Sequence, residues 1–323
     1  MRDSEPRSTG RGLSRRRLLA GTAVVAGGGA LAVGLAGGAV PGWSRMLGAL
    51  DADGEDVAVP DVRPGRLLTG TFTSAARGGR STGWTVALPP GSQRDLPVAV
   101  VLHGRGNDHA SAFRRRYLGL DRFLAAAASG GVPPFALASV DGAETYWHAR
   151  DDGDDTASMV VDELLPLLEG HGLRTGRIGL LGWSMGGFGA LHLAGLLGRE
   201  RVAGVAAMSP ALWHDFEDTA PGAYDDAEDF AEVTVMGRQE ALAGIPLRLD
   251  CGTGDPFASA VRDYVRGFPD GSEPRGGLQP GRHDVGYWRR TAPKELHFLG
   301  NALARPARSA AAAAAERPDT VSA

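Results

Sequence analysis

The chain has 323 residues, 43% hydrophobic and 22% charged, enough to bury one substantial core of the size a single α/β domain commonly reaches. A formal net charge of −4 offers no concentrated positive face, which argues against nucleic acid as a partner. The single cysteine, Cys251, excludes an intramolecular disulfide and a cysteine-cluster metal site, and its place in the apolar run Ile245 to Cys251 reads as a small buried thiol.

Residues 1–17 are polar and basic and end in Ser14-Arg15-Arg16-Arg17-Leu18-Leu19, a twin-arginine export pattern. An uncharged, glycine- and alanine-rich stretch runs from Leu18 to Val40. Residues 1–40 therefore read as a twin-arginine-type signal handled by the Tat export machinery, or as an uncleaved N-terminal anchor in contact with the membrane. Either way the remainder is expected outside the cytoplasm, secreted or at the cell surface. Residues 41–65 include an acidic, proline-punctuated stretch and read as a linker.

The folded unit is expected over residues 66–304. Alternating segments at Leu67 to Ser74 and Gly83 to Leu88 predict antiparallel strands that open a sheet. Apolar runs follow at Val98 to Leu102, Phe135 to Val140, Ile178 to Leu181, Val202 to Met208 and Leu247 to Cys251, separated by helical patterns. That alternation predicts an α/β fold with a mostly parallel central sheet and helices on both faces. Two long helices are placed at Thr156 to Glu169, where Pro166 should kink or shorten the helix, and at Gly187 to Leu197. The acidic connection between Met208 and Ile245 carries Trp213, Phe216, Tyr224 and Phe230 and reads as a short lid insertion. Residues 305–323, with their alanine run, read as a disordered tail.

Chemistry concentrates at Gly182-Trp183-Ser184-Met185-Gly186-Gly187, a G-x-S-x-G arrangement between an apolar strand and a small-residue helix. Glycine is needed on both sides because a Cβ at 182 or 186 would collide where helix and strand approach. Ser184 on the bend is then a nucleophile, and the Met185 N–H at the helix start points at a developing oxyanion. A turn at His103-Gly104-Arg105-Gly106 ends the first core strand, where the Arg105 N–H supplies a second donor. His103 precedes the nucleophile and reads as structural. Asp255, in the loop Gly252-Thr253-Gly254-Asp255-Pro256-Phe257, is the orienting acid, with Asp250 inside the strand as its competitor. His283, in Gly281-Arg282-His283-Asp284, is the base, with His148 as runner-up. The run Asp151-Asp152-Asp154-Asp155 lacks a full calcium-loop pattern and reads as a solvated turn, so no metal or cofactor is expected. Trp147, Trp213, Phe257, Tyr287 and Trp288 are candidates for an aromatic cleft.

These four motifs, in this order, resemble the putative-esterase branch of the α/β-hydrolases, which includes S-formylglutathione hydrolases, feruloyl esterases and the antigen 85 mycolyltransferases. The likeness spans about Leu67 to Ala304 and lacks the antigen 85 cysteine pair. It implies Ser184, Asp255 and His283 as nucleophile, acid and base, and the N–H groups of Arg105 and Met185 as the oxyanion hole. The expected activity is hydrolysis of a small-molecule or lipid ester through an acyl-serine intermediate. Transfer of the acyl group to an alcohol, as in antigen 85 or diacylglycerol acyltransferases, and a non-catalytic envelope-binding role are the alternatives.

Overall fold

Long uninterrupted apolar runs cannot sit at a surface, and in the computed structural model, which describes residues 57–91 and 95–306, they form the middle of one sheet. The strands are Leu67–Ser74 (β1), Arg80–Ala87 (β2), Leu96–Leu102 (β3), Ala136–Val140 (β4), Leu173–Trp183 (β5), Val202–Met208 (β6), Leu247–Gly252 (β7) and Arg275–Gln279 (β8). Their order across the sheet is β1-β2-β4-β3-β5-β6-β7-β8. β1 and β2 pair antiparallel, as does β2 with β4, and every later pairing is parallel. β3, β4 and β6 are buried along their whole length.

Successive residues alternate between two apolar layers, as the period of a strand requires. Val101 and Leu181 face helices α1 (Leu120–Ser129) and α6 (Val285–Ala304), whereas Val100 and Leu180 face the opposite layer. That second layer holds α3 (Met185–Arg201), α5 (Ala258–Arg266) and a composite helix α2. This is the mostly parallel, doubly covered α/β-hydrolase arrangement expected from the sequence.

Pro166 does not shorten α2. The helix runs through Thr156–Ser158, a wide π-helical segment Met159–Leu164, and Leu165–Gly170, with the proline in the first turn of the last part. The π turn shifts the hydrogen-bond register where the proline has no N–H to give. The carboxylate run 151–155 is likewise more than a solvated turn. Asp154 is buried and pairs with Arg77 at 2.7 Å, and Asp155 caps α2 by accepting from the Ser158 N–H at 2.8 Å.

The stretch 57–65, at the end of the expected linker, is docked on the domain: Val57 and Val59 pack against the α1–α6 layer, and Arg122 donates to the Val62 carbonyl at 2.6 Å. The insertion between β6 and β7 contains α4 (Ala227–Val233), and its Trp213, Tyr224 and Phe230 are buried in the α2–α3 layer. The expectations for residues 1–40, for the linker up to residue 56, and for the tail from residue 307 lie outside the described residues. Among the described residues no helix is long and apolar enough to cross a membrane.

Candidate active site

β5 feeds directly into α3 with only Ser184 between them, so this residue must reverse the chain within one backbone position. It does so at φ 55° and ψ −122°, a conformation that side chains rarely adopt. The bend is held from several sides: the Ser184 N–H donates to Met208 O at 3.0 Å, and its carbonyl accepts from Gly187 and Ala211. Its tightness explains the flanking glycines. A Cβ on Gly182 would lie 1.9 Å from Gly186 O, and one on Gly186 would lie 1.9 Å from Leu102 O.

The two other residues expected at the site arrive from loops that leave adjacent strands. β7 ends into the turn carrying Asp255, and β8 ends into the turn carrying His283. The turns are joined by their backbones: Thr253 N–H donates to Gln279 O at 2.8 Å and Gly254 N–H to Gly281 O at 2.9 Å. His283 Nε2 lies 2.9 Å from Ser184 Oγ, and His283 Nδ1 lies 2.8 Å from Asp255 Oδ2. The Asp255 side chain is fully buried, while His283 keeps 24% of its side chain exposed. The second Asp255 oxygen accepts from the Phe257 N–H at 2.9 Å. An ionised carboxylate can only accept, so Nδ1 carries the imidazole proton and the Nε2 lone pair faces the serine hydroxyl. This geometry can take a proton from Ser184 Oγ.

Gly104 brings the turn after β3 against the serine, since a Cβ there would stand 3.3 Å from Ser184 Cβ. Among the described residues neither the Arg105 N–H nor the Met185 N–H donates to a protein acceptor. The Arg105 side chain anchors this turn to its surroundings through Glu144 at 2.8 Å and the Pro221 carbonyl of the insertion at 3.0 Å.

His103 and His148 are engaged elsewhere. His103 is fully buried, with Nδ1 2.9 Å from Gly104 O and Nε2 accepting from the Gly142 N–H at 2.9 Å, and burial holds it below its ordinary value. His148 is buried between the Ala149 and Ala223 carbonyls. Asp250 is engaged within the sheet by Gln279 and Arg248 and does not approach His283 as Asp255 does. The Cys251 thiol is buried and pushed up by that burial, which fits an inert packing role.

Of the five aromatic candidates, Phe257 and Trp288 flank the His283 ring, each with centroids 5.2 Å away, and Trp213 stands edge-on to Phe257. Trp147 and Tyr287 do not line a cleft. Trp147 is fully buried, wedged against Gly142 and Gly189, and Tyr287 is 2% exposed. Tyr117, which nothing in its loop marks in the sequence, joins this aromatic group, with its ring 6.1 Å from Trp183 and 6.4 Å from Trp288. Among the described residues no group of three or more His, Cys, Asp or Glu is placed to hold a metal ion. A cleft of about 1530 Å³ lies instead at the opposite sheet edge, between the start of β7 and the C-terminal half of α6, away from Ser184.

Residues 75–298 match the family described as "Putative esterase". A ferulic acid esterase of known structure aligns with a TM-score of 0.62 at 20% identity, covering 73% of this chain and 98% of its own. Fluorophosphonate-binding serine hydrolase F of Staphylococcus aureus gives 0.58 at 19% identity, with 74% and 100% covered. An S-formylglutathione hydrolase from Agrobacterium tumefaciens gives 0.56 at 17% identity, with 77% and 100% covered. No curated protein matches the sequence.

Proposed function

The chain belongs to the putative esterase family, and from that premise we propose that it is a serine esterase that cleaves carboxylic esters through an acyl-serine intermediate. The observation that carries this reading is the hydrogen-bonded line from Ser184 Oγ through His283 to Asp255, at 2.9 and 2.8 Å. His283 takes the Ser184 proton as Oγ attacks the ester carbonyl, and Asp255 fixes the imidazole's tautomer and stabilises the imidazolium. The N–H groups of Arg105 and Met185 receive the carbonyl oxygen's charge. Each such donor is worth about 3 to 4 kcal/mol, because it is in place before the charge develops. His283 then returns the proton to the departing alcohol, and a water activated by the same imidazole releases the acid.

The substrate is a small-molecule or lipid ester whose acyl or aryl group rests against the apolar rings of Phe257 and Trp288 beside His283. The test is ester hydrolysis by purified protein and by Ser184→Ala. The variant should lose about four to six orders of magnitude in turnover with its fold intact. Activity within tenfold of wild type would refute the proposal.

A further inference from the structure

Strand β7 turns Leu247, Leu249 and Cys251 toward the α2–α3–α5 layer, so Arg248 and Asp250 point the other way, beneath α6. There Asp250 meets Glu295 of α6, and both are fully buried. Arg248 Nε lies 2.7 Å from Asp250 Oδ2 and 3.2 Å from Glu295 Oε2. Gln279 Nε2 of β8 donates to Asp250 Oδ1 at 2.6 Å. The guanidinium is close enough for charge but off the hydrogen-bonding direction, and Asp250 Oδ2 and both Glu295 oxygens have no hydrogen-bond partner among the described residues.

With Arg248 the cation in contact with both, two buried carboxyls leave one charge poorly compensated unless it binds a proton. A proton on Glu295 both removes the second charge and gives Asp250 a donor. Burial, reinforced by the Asp250 carboxylate, holds the Glu295 carboxyl well above the usual range, against the opposing pull of Arg248 and Lys294. Burial and then Asp250 also push the neighbouring Tyr287 phenol up, so it stays neutral beside the pair.

This cluster sits at the junction of the elements that carry acid and base. β8 has little apolar surface with which to hold itself: Gly276 and Gly277 adopt φ 98° and 127°, and Leu278 is only partly buried. Gln279 ends that strand four residues before His283, Asp250 precedes Asp255 by five, and α6 starts at Val285, just beyond the base. We propose that the Asp250–Glu295 pair, clamped by Arg248 and tied to β8 by Gln279, is a positioning device that sets His283 against Asp255.

The proposal rests on the reading of Ser184, Asp255 and His283 as the reacting line, and its test separates the two. In Gln279→Ala, a substitution at a half-buried strand end, kcat should fall about tenfold with KM held within about twofold. The downfield proton resonance of the His283 Nδ1–H to Asp255 hydrogen bond should move upfield in the same variant. Glu295→Leu should show the same two changes, and Glu295→Gln, which keeps a donor toward Asp250, should restore both. Wild-type kcat and an unmoved resonance in Gln279→Ala would overturn the proposal, as would a failure of Glu295→Gln to rescue. The resonance is also readable in Ser184→Ala protein, so an error in the functional reading leaves the positioning test standing.

Discussion

Single residues here do work that their type alone would not reveal. Asp250 and Asp255 lie on one strand and its following loop, yet only Asp255 reaches His283. The difference is pleat geometry: a carboxylate inside the ladder points where the strand sends it, whereas one past the last pairing can turn to the base. Asp255→Asn presents an amide to Nδ1 and favours the wrong tautomer, so kcat should fall about 10³- to 10⁴-fold while binding of a substrate analogue is retained. Steady-state kinetics with a chromogenic ester would check this, and a loss below tenfold would remove Asp255 from the proposed role. The proximity of Ser184 and His283 was readable from sequence because each sits beside glycine at a chain turn, Ser184 just past an apolar strand and His283 in a late loop beyond Asp255. The Asp250–Glu295 pairing was not read, although each residue carries a signal: an acid inside a buried strand, and an acid on the Tyr287-Trp288-Ala292-Leu296-Leu299 stripe of α6.

At the scale of elements, the β5–α3 junction is governed by backbone proximity. Gly186→Ala would place a methyl group 1.9 Å from Leu102 O and 2.8 Å from His103 O, both main-chain atoms that cannot swing away. Destabilisation should exceed about 4 kcal/mol by chemical denaturation. Gly176→Ala, where a Cβ meets nothing within 4 Å, should stay within about 0.5 kcal/mol. Equal stability of the two variants would contradict this account of the motif's glycines. Core strands were legible because burial on both faces demands continuous apolar residues, and β6 runs from Val202 to Met208 as expected. β8 was not, because Arg-Gly-Gly-Leu-Gln has neither alternation nor β-branching and is held by pairing to β7 and by Gln279. At Pro166 the expected disturbance of the helix takes the form of a π turn rather than an early end, because the wider turn absorbs the missing donor.

Across the whole molecule, the insertion after β6 is joined to the main layer through a buried aromatic and histidine cluster. Tyr224 of the insertion stacks on His148 and meets Phe188 of α3 edge-on; His192 of α3 stacks on Phe188 at an interplanar angle of 9°, and its ring faces His148 at 6.5 Å. Burial, with His148 adding to it, lowers His192 from its ordinary 6.5 to about 4. A base whose folded value lies below its unfolded one contributes stability above pH 6.5 that is lost as pH falls toward 4. The loss amounts to at most about 3 kcal/mol. His192→Gln should therefore flatten the decline in melting temperature between those limits, and an unchanged decline would assign the acid sensitivity elsewhere.

The proposed esterase chemistry turns on acylation of Ser184 Oγ, and labelling of the folded chain with a fluorophosphonate, followed by intact mass and peptide mapping, tests that directly. One adduct per chain on Ser184, absent in Ser184→Ala and slowed in Asp255→Asn, is the predicted result. Folded protein that stays unlabelled, or that carries its adduct on another residue, would contradict it.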